Sequence, residues 1–253
     1  MKRLLADGSG SIYQLSKVFR NNELGQQHNP EFMMLEWYRT QWDYLKLIKE
    51  VDQLMQLLAN TSPLIQNTYQ QLFIKHLNID PHDTTLQALE QAGNTYLELN
   101  DSSLSFTDWL EILFDYCIHQ HQTSNTTKTL DPSQPLAITE FPRALAQLAD
   151  TGPAQHTQTT QPVAYRFEIY WRGVELANGY QELTCPQELS KRWQLQRATP
   201  DNGTSWASRQ DPRLLAAMSQ GLPECSGCAL GFDRLLFTEQ QTKNLSDILT
   251  FNA

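Results

Sequence analysis

No run of basic residues occurs anywhere in this sequence: 19 Lys and Arg are scattered among 28 Asp and Glu, for a formal charge of −9. Non-specific nucleic-acid affinity comes from clustered Lys and Arg, so wholesale binding to a phosphate backbone is argued against. Apolar runs of bilayer length are missing, and so is a secretory signal pattern; the expected location is cytoplasmic. Cysteine is sparse. Of Cys117, Cys185, Cys225 and Cys228, only the last two form a C-x-x-C. A tetrahedral metal centre needs four ligands, and neither a second C-x-x-C nor a nearby His is present. The cysteines are therefore expected to be small buried residues in a reducing compartment. Aromatics, in contrast, are plentiful: six Trp, nine Tyr and ten Phe in 253 residues are enough for a packed single domain.

Residues 18–39 organise the chain. Two apolar runs, 12–15 with Val18-Phe19 and 32–38, flank a polar loop holding Gly25, His28, Asn29 and Pro30. Runs of this length between turn residues predict two strands joined by a long hairpin loop. Antiparallel pairing can bring Arg20, His28, Asn29, Phe32 and Tyr38 onto one patch of sheet. A guanidinium, an imidazole, an amide and an exposed ring suit a nucleoside triphosphate; a polar hairpin over an ordinary sheet is the alternative.

Upstream, residues 2–5 read as the end of a helix stopped by Gly8 and Gly10, which suggests that something precedes Met1. Residues 42–60 carry Leu45, Ile48, Val51, Leu54, Met55 and Leu58 at helical spacing, a stripe for packing on a sheet. Further helices are expected over 69–77, from 81–84 through Ala92, and over 106–119. Residues 120–135 read as a loop, with His119 and His121 as solvated groups at a helix end. A strand is expected over 136–141, and 151–162 reads as a surface loop or a lid.

Residues 164–171 alternate, Arg172-Gly173 turns the chain, and 174–183 returns as a second hairpin. Strict alternation separates Glu175 from Glu182. A bulge at 177–179 would bring both, with Asn178, to one side, where two carboxylates and an amide suit Mg²⁺ or a substrate ammonium. Helices are expected over 187–198 and 211–220. A strand at 225–229 then leads into a helix starting at Gly231, with Arg234 in its first turn.

The run His28-Asn-Pro-Glu-Phe32 followed by Leu35-Glu-Trp-Tyr-Arg39 resembles motif 2 of class II aminoacyl-tRNA synthetases, in the lysyl branch. It is more similar still to the tRNA-independent lysyl-synthetase paralogues that attach β-lysine to a lysine of elongation factor P. Residues 175–182 and 227–234, ending Gly-Phe-Asp-Arg, extend the resemblance in order over nearly the whole chain. The fold it implies is α+β, an antiparallel sheet flanked by helices, over residues 1–253 without the motif 1 segment. The activity it implies is ATP- and Mg²⁺-dependent activation of (R)-β-lysine and its transfer to elongation factor P. No tRNA and no membrane are implied, and a homodimer would need the motif 1 segment.

By the same resemblance Arg20, Glu175 and Arg234 are catalytic. ATP would meet Arg20, Asn22, His28, Asn29, Phe32, Glu175, Leu176, Gly231 and Arg234. Tyr38, Asn178 and Glu182 would read the amino acid, and Glu175 and Glu182 would hold the metal. The sequence departs from the pattern at Asn22, where the family has Glu, and at Gln26-Gln27, which replaces an Arg. Those departures, with the missing motif 1 segment, leave open a homologue that binds ATP without ligase activity; Arg20, Glu175 and Arg234 favour an enzyme.

Overall fold

The computed structural model describes residues 1–21, 25, 28–101, 103–123, 134–198, 211–242 and 244–249. After a five-residue helix α1 (Lys2–Ala6), β1 (Ile12–Phe19) and β2 (Glu31–Thr40) pair antiparallel in the expected hairpin. Helix α2 (Tyr44–Ala59) starts at Asp43, whose carboxylate accepts the Lys46 N–H at 2.7 Å, and stops at left-handed Asn60. Of the expected stripe, Ile48, Val51 and Met55 are buried, Leu45 and Leu54 are half-buried and Leu58 is exposed; Tyr44, Leu47 and Ala59 complete the buried face. A short strand β3 (Ile65–Thr68) leads into α3 (Tyr69–Leu77), opened by a capping box between Thr68 and Gln71. Helix α4 (Leu86–Leu97) starts two residues after the expected signal and runs five residues past Ala92, to a left-handed cap at Glu98. Gly93 inside it is required by packing: a Cβ there would stand 2.0 Å from the Trp109 ring of α5 (Phe106–Thr123).

Strands β4 (Leu136–Pro142), β5 (Thr151–Gly152), β6 (Val163–Trp171), β7 (Val174–Gln181) and β8 (Cys225–Gly231) complete an eight-stranded sheet. Its order is β1-β2-β8-β7-β6-β4-β3, with β5 on β6. Every pair is antiparallel except β3 with β4. Helices α6 (Pro186–Ala198) and α7 (Pro212–Gly221) precede β8 in the chain, and α8 (Phe232–Gln240) follows it. The α+β expectation holds, with one parallel pair added. Among the described residues no helix is long and apolar enough to cross a membrane.

Strand alternation decides what each face of the sheet does. Trp37, Phe167, Ile169, Trp171, Cys228 and Leu230 point to one side and pack under α2 and α8. On β4, Leu136, Ile138 and Phe141 join Tyr69, Phe73, Trp109 and Phe114 of α3 and α5 in a second cluster. A third, smaller cluster holds Leu5, Tyr38, Met218, Leu222 and Cys225. Cys225 and Cys228 thus sit on opposite faces, both buried and unpaired with each other. Cys185 departs from expectation: it is exposed, in the turn before α6.

The β6–β7 ladder contains the irregularity that the Glu175 argument needed. Ile169 pairs with Ala177 and Tyr170 with Glu175, so Leu176 is an extra residue on β7. The bulge lies just upstream of 177–179, where it was expected. It turns Glu175 to the face shared by Asn178 and Tyr180.

The 151–162 segment is no loose lid. Buried Glu140 accepts backbone N–H bonds from Gln155, His156 and Thr157 at 2.7, 2.9 and 2.6 Å. Gln70 holds Gln158 by both its N–H and its carbonyl, and the Tyr165 hydroxyl donates to the Pro153 carbonyl at 3.0 Å.

Helix α5 runs past the expected end, and its last turn corrects the reading of the two histidines. His119 is exposed, but His121 is only 5% exposed, with its ring 6.0 Å edge-on from His76. Lys75 donates to His121 Nδ1 at 3.2 Å, which requires a neutral imidazole. Burial first, then Lys75 and His76, press the His121 pKa from 6.5 down to about 4. Below pH 6.5 the unfolded chain takes up a proton that the folded chain refuses, so stability falls as pH falls toward 4. By pH 5 the loss from this group is on the order of 2 kcal/mol. Urea unfolding of the native chain and His121→Gln at pH 7.5 and pH 5 measures it. The native chain is expected to lose about 2 kcal/mol more than the variant, and equal losses would refute the assignment.

Candidate active site

The polar face of the sheet lines a cavity of about 420 Å³. Three arginines and two glutamates converge on it from four elements.

The β1–β2 loop supplies one wall. Backbone bonds from Arg20 N–H to the Pro30 carbonyl (2.9 Å) and between Gly25 and His28 (3.1 and 3.3 Å) fold it back on itself. Asn29 is buried, its amide donating to the Glu31 carbonyl at 2.6 Å. The Arg20 guanidinium lies 5.3 Å from the centre of the Phe32 ring, so a cation and an aromatic face are presented together. Arg20, His28, Asn29 and Phe32 all line the cavity; Tyr38, expected on the same patch, does not. Asn22, with Glu23 and Gln26-Gln27, lies outside the described residues.

The β8–α8 junction supplies the second wall. Gly231 is the N-cap of α8, and Arg234 in the first turn donates to the Glu175 carbonyl at 3.1 Å. Arg234 Nη1 also stands 3.7 Å from the Glu175 carboxylate. Asp233 accepts the Met33 N–H at 2.7 Å, locking this turn to β2. A Cβ at Gly231 would meet only the Arg234 side chain, at 3.4 Å, an ordinary contact. Packing does not demand glycine there; the space it leaves belongs to the cavity.

The floor is the β6–β7 hairpin. Arg166 and Glu168 form a buried ion pair; Arg166 also donates to the Leu145 carbonyl at 3.1 Å. Glu168 accepts from the Tyr170 hydroxyl (2.6 Å) and from the Asn178 amide (3.4 Å). The Asn178 Oδ1 atom is buried and has no hydrogen-bond partner. Burial, reinforced by Glu168 and opposed by Arg234, Arg166 and Arg20, pushes the Glu175 pKa up to about 7. Two carboxylates that repel one another, beside an unpartnered carbonyl oxygen, make this floor an acceptor for cations.

Residues 1–253 match the family described as tRNA synthetases class II (D, K and N). The chain belongs to that family. The elongation factor P--(R)-beta-lysine ligases of Yersinia pestis (strain Pestoides F) and Yersinia pseudotuberculosis serotype O:1b (strain IP 31758) are each 40% identical to it. Each alignment covers 99% of this chain and 74% of the relative.

The remaining residues that the resemblance singled out lie deeper in this class II synthetase chain. Tyr38 is buried, lies further along β2 outside the cavity's lining, and donates to Glu36 at 2.6 Å. Burial, with Glu182 and Glu36 close by, pushes its pKa far up, so the phenol stays a donor. Glu182 is buried as well, and its Oε2 lies 2.5 Å from Lys2 Nζ of α1. Gly227 stands between them. A Cβ there would fall 2.5 Å from both Glu182 Oε1 and the Tyr38 ring, so glycine is demanded by this convergence. The carboxylate that presses on Glu175 is therefore Glu168, while Glu182 is occupied by Lys2.

Sequence reading missed Arg166, Glu168 and Tyr180 as cavity residues. The signal was present: alternation through 163–171 puts Arg166 and Glu168 on one face of an otherwise apolar strand.

Proposed function

We propose that this chain activates (R)-β-lysine with ATP and transfers it to the ε-amino group of a lysine on elongation factor P. The 40% identity across almost the whole chain to ligases of that name supports the substrates. The observation that carries the chemistry is the meeting of Arg20, Arg234 and Glu175 at one end of a single cavity. Nothing among the described residues favours a non-catalytic relative.

In the first step a carboxylate oxygen of the amino acid attacks the α-phosphorus of ATP. The α–β phosphoanhydride bond breaks and pyrophosphate leaves. The substrates supply the reacting atoms, so the protein's work is in-line positioning and charge neutralisation. Arg20 faces the α-phosphate and the attacking carboxylate, and Phe32 stacks on adenine. His28 and Asn29 hold the nucleotide from the loop, Leu176 and Gly231 let it approach, and Arg234 covers it and meets the departing phosphates. In the second step the acceptor amine attacks the acyl carbon, AMP leaves with the anhydride oxygen, and the amine loses a proton.

The donor set fits Mg²⁺, which binds through one or two carboxylates plus substrate phosphates. Glu175, with Glu168 beside it, would hold the ion, which would neutralise phosphate charge. Tyr38, Asn178 and Glu182 belong to the amino-acid end, Glu182 acting as an ion pair with Lys2. The setting is cytoplasmic, with residues 1–253 as one catalytic domain and no tRNA acceptor.

Pyrophosphate exchange dependent on (R)-β-lysine, followed by mass analysis of elongation factor P incubated with the chain, tests this. Exchange and a mass gain of one lysyl residue on elongation factor P are the expected results. Exchange without any gain on the factor would reject the acceptor, and no exchange would reject the activity.

A further inference from the structure

One turn at the rim of the cavity has no part in the chemistry described so far. Gln147 follows the short helix Arg143–Leu145 with a left-handed φ of 47°. Glycine or asparagine suits such a helix end; a glutamine held there is strained. Three bonds from two arginines fix the turn. Arg166 donates to the Leu145 carbonyl from below the cavity. Arg192 of α6 donates to the Gln147 carbonyl at 2.9 Å and to the Ala149 carbonyl at 2.7 Å, and is itself paired with Glu188 at 2.9 Å. The chain beyond is stitched to β7 by Asp150 N–H to the Gln181 carbonyl (2.8 Å) and Leu183 N–H to the Leu148 carbonyl (3.0 Å).

What this rigid turn delivers is one amide side chain. Gln147 lines the cavity, and its Oε1 accepts from the Tyr180 hydroxyl at 2.8 Å. Across the Leu176 bulge Tyr180 pairs with Arg166 and Glu175 with Tyr170, four residues apart on β6, about 13 Å at strand rise. The Gln147–Tyr180 pair therefore closes the end of the cavity away from Arg234. An amide carbonyl has two lone pairs, and Tyr180 uses one. The other remains, and the unpartnered Asn178 Oδ1 lines the same cavity. Glu182 is drawn to Lys2, and the Glu168 carboxylate that lines the cavity here is already engaged by Arg166, Tyr170 and Asn178, so the Gln147 and Asn178 oxygens are the acceptors with a lone pair to spare.

We propose that Gln147 is a specificity-determining residue whose amide, oriented by Tyr180, accepts a hydrogen bond from an ammonium group of the diamino acid substrate. This rests on the activity proposed above. An ammonium read by neutral amide oxygens at a fixed rim is placed by geometry rather than by charge. The contact therefore discriminates between isomers whose amines sit one carbon apart.

Gln147→Gly tests it, because glycine removes the amide and relieves the left-handed φ at once. The expected result is a melting temperature that is unchanged or raised, with the KM for (R)-β-lysine in pyrophosphate exchange raised about tenfold. The KM for ATP should stay within twofold, and the preference for (R)-β-lysine over lysine should shrink. Tyr180→Phe should raise the same KM, and the double variant should add little to either single one. An amino-acid KM within twofold of native in Gln147→Gly overturns the inference, as does an equal rise in the KM for ATP. If the native chain shows no exchange, the activity reading fails separately. Equilibrium binding of the two isomers to native and Gln147→Gly protein then decides this inference: weaker binding by the variant supports it, and equal or absent binding overturns it.

Discussion

Arg234→Ala is expected to lower kcat/KM for amino-acid-dependent pyrophosphate exchange by about 10³-fold. In a reaction whose atoms come from the substrates, the transition state differs from the ground state chiefly in where charge sits. Arg234 is one of the few cations placed to meet that charge. It sits in the first turn of α8, where helix N–H groups point the same way, and Asp233 clamps that turn to β2. Loss of one such preorganised donor costs about 3–4 kcal/mol of transition-state stabilisation. Arg234 also opposes the upward pressure on the Glu175 pKa, so its removal leaves Glu175 more protonated and less able to hold a cation. Arg234→Lys restores charge without the planar fork, and activity between the two is expected. The side chain is about a quarter exposed and, among the described residues, its hydrogen bond goes to a carbonyl, so the fold should tolerate both changes. A loss under tenfold in Arg234→Ala, with the fold intact, would remove Arg234 from the catalytic role.

How far the sequence carried depended on the kind of signal. The α2 stripe and the two hairpins were legible because their apolar periods are long and their turns are marked by Gly and Pro. Strand β3 was not: Ile-Gln-Asn-Thr has no alternation, and it is a strand only because parallel pairing with β4 imposes it. The end of α4 was placed five residues short, at Ala92; Gly93, just beyond, is inside the helix and makes room for Trp109. At the site, residues on the two motif loops were found individually. Half of the floor was found, Glu175 and Asn178, and half was missed, because pairing depends on register. A one-residue bulge at Leu176, just upstream of the expected place, decides which carboxylate faces which, and it sets Glu168 rather than Glu182 against Glu175. His121 shows the same limit: a polar residue near a helix end looks solvated until α3 is packed over it.

The largest stability effect is expected at Glu140, which touches none of the chemistry. Glu140→Ala should cost about 3–5 kcal/mol in urea unfolding. Its carboxylate is fully buried, and what satisfies it is three successive N–H groups from 155–157. Such a row of N–H groups forms a concavity that concentrates partial positive charge, and here the chain fills it with its own carboxylate. Deleting the acceptor strands those donors and opens the void it occupied. Glu140→Gln keeps the shape but turns an NH₂ group toward N–H donors, so it should recover only part of the loss. The backbone separates the causes further. Glu140 has a φ of 54° at a shift in the β4–β6 register, a conformation that alanine tolerates poorly and glycine freely. Glu140→Gly should therefore be the more stable of the two truncations, by about 1 kcal/mol, although it removes more atoms. Hydrogen exchange at amides 155–157 should speed up in both variants alike, since both lack the acceptor. If alanine proves the more stable truncation, strain at Glu140 is not part of the fold's energetics. If neither variant exchanges faster, the carboxylate is not what holds the 151–162 segment in place.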